Sequence, residues 1–155
     1  MTDVQSSLHY YGQRSCAEQW RAFLTELIAE FYDQVDGPAA DDFLVRVGAR
    51  VARALPLPDC TSLADMVAEI NRVLWQIDWG WVEIEESGSY LRVVHGAYPI
   101  VPMYQNAPDA WFVPVLEGLY TEWLNMLGGV GLRARSSEAP DSPYKPIVLL
   151  YGRHV

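Results

Sequence analysis

The residues of this 155-residue chain that could do chemistry are its carboxylates, histidines and thiols. Glycoside hydrolysis needs two carboxyl groups facing each other, one with a raised pKa. Glu83, Glu85 and Glu86 cluster in "WVEIEESGSY", but the flanking pattern puts them at the tip of a hairpin, where water leaves them ordinary acids. Asp41 and Asp42 fall at the opening of a helix, where negative charge meets the positive end of the helix dipole. Of the histidines His9, His95 and His154, none sits beside a nucleophile in a recognisable spacing. His95 falls at the base of the hairpin and suits a hydrogen bond at a strand end better than a haem or metal. Cys16 and Cys60 are far apart and without clustered histidines, so they read as plain thiols and signal neither a disulfide framework nor zinc. "GGVG" follows a helix instead of opening one, which makes it a C-cap and turn rather than a phosphate cradle. No catalytic, metal or cofactor-binding set emerges.

What remains is aromatic. "NRVLWQIDWGWVEIEE" places Trp75, Trp79 and Trp81 within seven residues, out of six tryptophans in all. Core packing, a protein interface and a stacking surface for sugar are all open to them. The net charge of -9, from 20 acidic and 11 basic side chains, repels phosphate backbones and anionic headgroups, so nucleic acid is not an expected partner. The first residues, "MTDVQSSLHYYGQRSC", hold no apolar run of signal-peptide length, and nowhere do about 18 apolar residues come together. A cytoplasmic protein without membrane insertion is expected.

The elements that must position these residues follow from periodicity. Residues 1–14 lack a period and are expected to form a flexible arm, ahead of one domain over 15–155. From Ala17 to Tyr32, the set Trp20, Phe23, Leu24, Leu27, Ile28 and Phe31 keeps the spacing of one buried helix face. Pro38 starts a second helix carrying Phe43, Leu44, Val47, Val51 and Leu55. Ser62 caps a third, which runs through Met66, Ile70, Val73 and Leu74 and leaves Trp75 on the opposite side. The pattern then alternates: "WVEIEESGSYLRVV" is a hairpin with a loop over Glu86–Ser89, pairing Glu83 with Arg92 and Trp81 with Val94. Trp79 and Trp81 share a strand face that something must cover. Pro114 sits in the first turn of a fourth helix ending at Gly128, with Gly118 inside it either for a close helix-to-strand approach or simply tolerated. A short strand near Leu132 and the last strand "IVLLY", apolar on both faces, complete an α+β domain with helices packed on an antiparallel sheet.

Three stretches together carry a family resemblance: Asn71, Leu74 and Ile77 leading into Trp79-Gly80-Trp81-Val82, then "WFVPVLEGLYTEWL", then "IVLLYGR". In order and spacing, residues 20–153 resemble the D subunit of bacterial cellulose synthase complexes, while 96–110 and the arm match nothing in that pattern. The resemblance implies a noncatalytic accessory component and a homo-octamer, four dimers around an axis, that organises nascent β-1,4-glucan chains. It implies the other synthase components and glucan as partners, and by position it makes Tyr10 and Tyr11 candidates for touching glucan. Trp75, Trp79 and Trp81 are then candidates for the interface between copies. A complex that spans the inner membrane makes the periplasm the alternative location. The rival class is a small-molecule-binding regulatory domain with an apolar pocket between helices and sheet, and a third is a carbohydrate enzyme dependent on Glu83 or Glu85.

Overall fold

The computed structural model describes residues 3–101, 110–138 and 140–153. Five helices, α1 (Asp3–Gln13), α2 (Glu18–Gln34), α3 (Gly37–Ala54), α4 (Leu63–Gln76) and α5 (Phe112–Met126), combine with strands β1 (Trp81–Ser87), β2 (Tyr90–Gly96), β3 (Arg133–Ser136) and β4 (Ile147–Gly152). They form an α+β domain in which helices pack on an antiparallel sheet. The segment 1–14, expected to be an aperiodic arm, contains α1, whose Val4, Leu8 and Tyr11 form a one-sided stripe at helical spacing. Caps account for two helix starts: the Asp36 carboxylate accepts the Ala39 N–H at 3.1 Å, and the Ser62 hydroxyl accepts that of Asp65 at 3.0 Å.

The sheet order is β1-β2-β4-β3, all antiparallel. Its hairpin corrects the expected register. Ser87 pairs with Tyr90, so the loop is only Gly88 and Ser89, with Gly88 at φ 62. Every cross-strand pair therefore moves by two residues: Glu85 faces Arg92, with a 2.8 Å ion pair, and Trp81 faces Gly96. A shift of two preserves the faces. Val82, Val93, His95, Ile147 and Leu149 point into the core, and Trp81, Val94 and Arg92 lie on the other side, half-buried. Both sheet edges are closed by helix side chains. At β1 the Asn71 amide mimics a strand, accepting the Val82 N–H at 2.9 Å and donating to the Val82 carbonyl at 2.9 Å. At β3 the N–H groups of Ala134 and Ser136 donate to Thr121 and Glu117 of α5.

The core centres on α5, where Leu116, Leu119, Tyr120 and Trp123 are all inaccessible to solvent. Gly118 does allow a close approach, but to a helix and not to a strand. A Cβ there would strike the Val45 carbonyl of α3, and one on Gly48 would strike the Val115 carbonyl of α5. Two opposed glycines thus let α3 and α5 touch backbone to backbone. Trp123 Nε1 donates to the carbonyls of Leu55 at 2.9 Å and Ala52 at 3.2 Å, closing the C-terminus of α3. α2 departs from expectation, because half its apolar stripe faces outward: Trp20 is 53 % exposed, Phe23 57 % and Leu27 49 %.

Candidate functional site

Where α4 ends, Ile77 leads into a tight turn: Asp78 (φ 55) and Gly80 (φ 88) both take left-handed backbone. A Cβ on Gly80 would meet the Gly96 carbonyl, so the turn is pressed against the end of β2. Trp79, between them, is held at both of its peptide groups. Its N–H donates to the Leu74 carbonyl at 2.9 Å, and its carbonyl accepts from His95 Nε2 at 2.8 Å. Since a carbonyl can only accept, Nε2 carries the proton, and Nδ1 accepts from the Tyr120 hydroxyl at 2.6 Å. His95 is fully buried, and burial pushes its pKa down to about 4, so the ring is neutral at pH 7. The histidine at the hairpin base is therefore a structural anchor with both nitrogens satisfied.

The anchored turn aims two indoles. Trp79 packs edge-on to Phe112 with ring centroids 5.0 Å apart. Trp81 lies across the bare backbone of Gly96, where any side chain would displace it. Both line an open cleft of about 970 Å³, whose walls add Trp75 from α4 and Trp20 from α2, with Arg14 and Asp78 as its charged residues. Trp75 is 75 % exposed. The structure thus gathers the three tryptophans singled out from the sequence and adds a fourth, Trp20, whose spacing assigns it to a buried stripe. No signal in the sequence joins Trp20 to the others, because the contact depends on how α2 docks.

The remaining candidates are scattered. Tyr10 and Tyr11 project from α1, 55 % and 68 % exposed, edge-to-face at 5.5 Å, and Arg14 donates to the Tyr10 hydroxyl at 3.3 Å. Glu83, Glu85 and Glu86 are exposed. Asp41 accepts a 2.8 Å hydrogen bond from Tyr32, whose hydroxyl is held protonated by burial and by that carboxylate. Among the described residues no group of three or more His, Cys, Asp or Glu could hold a metal, and Cys16 and Cys60 are free thiols. The His9 side chain, His154 and residues 102–109 lie outside the described residues. Within the described helices none is long and apolar enough to cross a membrane.

A second space is apolar. Some 470 Å³ open between α2, α3 and α5, lined by residues such as Leu24, Ile28, Phe31, Leu44, Val51 and Val115.

Comparison with known proteins bears on the whole chain. The family model for the cellulose synthase D subunit matches residues 6–151. A protein named cellulose synthase operon protein D from Komagataeibacter xylinus is 34 % identical over 138 residues, covering 84 % of this chain and 88 % of that protein. Its namesake from Komagataeibacter sucrofermentans is 31 % identical over the same shares of both chains. With most of its length matched at that identity, and with Asn71 and the Trp79-Gly80-Trp81 turn as structural keystones, the chain belongs to the cellulose synthase D-subunit family.

Proposed function

We propose that this protein is a noncatalytic accessory subunit for cellulose synthesis, a self-assembling scaffold that organises nascent β-1,4-glucan chains and works beside the other components of the synthase complex. The observation that carries the scaffold reading is the unpartnered apolar surface of the two N-terminal helices. α1 exposes Val4, Leu8 and Tyr11, and α2 exposes Phe23 and Leu27 beside Phe43 of α3. Exposed apolar residues repeated along a helix are what contacts between copies cover. We place the main contact there, since Trp79 and Trp81 are partly covered by Phe112 and Gly96 of their own chain. A ring of eight chains, four dimers about an axis, is the assembly proposed. In this reading it joins the complex by protein contacts, on the cytoplasmic side.

Light scattering after size exclusion tests it. Eight chains of 17.5 kDa give 8 × 17.5 = 140 kDa, and a species of that mass, stable on dilution, is the expected result. A persistent monomer would overturn the scaffold.

The apolar space between α2, α3 and α5 favours a second reading, a small-molecule-binding domain. It predicts a monomer or dimer that a small apolar ligand stabilises against heat.

A further inference from the structure

Three of the six tryptophans serve the cleft better than they serve the core, and a fourth, Trp79, both packs on Phe112 and lines the cleft. Trp75 stands on the side of α4 away from its buried residues, and Trp20 is half-exposed on α2. Trp81 lies on the sheet face opposite the core, and Gly96 provides the bare backbone it rests on. An indole that only had to fill the interior would need none of these placements.

The floor of the cleft is also prearranged. Trp79 is fixed through both peptide groups by Leu74 and His95, and Gly80 is wedged against Gly96. Rings immobilised before binding lose little entropy when a ligand lands on them. The charged groups at the cleft are one guanidinium, Arg14, and one carboxylate, Asp78, beside a Ser15 hydroxyl already bonded to the Gly12 carbonyl and the Ile100 N–H. Opposite single charges amid indole faces suit a neutral ligand that has flat C–H faces to lie on the rings and hydroxyl groups around its edge. A phosphorylated or strongly anionic ligand would meet a chain of net charge -9 with little to hold it. An open cleft suits a polymer lying across it better than a small molecule enclosed.

We propose that this cleft binds a β-1,4-linked glucan chain, its sugar faces stacked on Trp20, Trp75, Trp79 and Trp81 and its hydroxyls bonded to Arg14 and Asp78. The proposal rests on the glucan-organising reading above and gives it a site that adjoins Tyr10 through Arg14 and leaves Tyr11 outside its lining.

The test is calorimetric titration of the full-length protein with cellohexaose and, for linkage, maltohexaose, with the mass of each protein measured alongside. The variants are Trp75→Ala, Trp20→Ala and Tyr11→Ala, with Tyr10 kept because its hydroxyl accepts from Arg14. Trp75 and Trp20 are exposed, so their loss should leave the fold intact. The proposal expects cellohexaose to bind, each tryptophan variant to weaken it at least about tenfold at unchanged mass, Tyr11→Ala to matter little, and maltohexaose to bind more weakly. Cellohexaose binding that survives both tryptophan variants, or that is lost only with Tyr11, overturns the cleft and leaves the glucan reading standing. Equal binding of maltohexaose overturns the β-1,4 assignment. No binding at all overturns both the cleft and glucan contact, while the measured mass still decides the scaffold. A Trp75→Ala protein that loses mass shows that a second copy fills the cleft, and this also overturns the proposal.

Discussion

His95 joins the sheet, α5 and the tryptophan turn through two hydrogen bonds, and it does so as a neutral ring. Its folded pKa of about 4 lies below the 6.5 of an unperturbed histidine. The unfolded chain therefore takes up this proton first as pH falls, so the contribution to stability is present above pH 6.5 and is lost between there and about 4. The displacement corresponds to about 3 kcal/mol. Urea denaturation should show stability level from pH 8 to 7 and falling through that window, above most carboxylate titration. His95→Gln should be less stable at neutral pH and flatter across the window; an equal slope in that variant would show that other groups carry the effect. Tyr120→Phe removes the donor to Nδ1 and should cost about 1–3 kcal/mol in the same assay. At this scale the sequence is half legible. The hairpin-base position of His95 suggests a hydrogen-bonding role, but its partners on α5 and before β1 cannot be read from it, because they depend on tertiary packing.

Among elements, the α3–α5 crossing shows what local pattern reveals and what it hides. The periodicity of both helices is plain in the sequence, and Gly118 signals a close approach. Its partner, Gly48, carries no such signal, because a glycine within a good helical period says nothing of what lies opposite. The distance between the two axes is set by these two missing side chains. Gly48→Ala or Gly118→Ala would place a methyl into the facing helix's carbonyl, where backbone cannot yield as a side-chain tip would. Although alanine is the better helix former by about 1 kcal/mol, each change should destabilise by about 2–3 kcal/mol net. Thermal melts followed by circular dichroism check this, and a raised Tm in either variant would contradict the crossing. The hairpin carries a similar lesson. Alternation determines which face each residue occupies, but both a two-residue and a four-residue loop satisfy it, and only the left-handed Gly88 chooses the tighter turn. α1 escapes a reading by period because its stripe of Val4, Leu8 and Tyr11 is short and polar-flanked.

On the scale of the whole molecule, the face of α2 decides between a self-sufficient domain and an assembly. Its period predicts a buried stripe, and Ile28 is indeed buried, yet Phe23 and Leu27 stay about half-exposed beside Phe43. Sequence period reports that a face is to be covered, not whether the covering comes from the same chain. If copies of this chain cover it, a charge there should separate them without unfolding the protomer. Phe23→Glu with Leu27→Glu would bury two unpaired carboxylates per chain in the interface, each costing several kcal/mol, and in a two-fold contact every one counts twice. The expected result is collapse of a 140 kDa species (8 × 17.5) to a small multiple of 17.5 kDa, with helical content and melting cooperativity kept. Should the double variant keep its mass, the α2 face is not the contact. The apolar space behind it would then be better read as a pocket, and its lining as the surface to challenge with ligands.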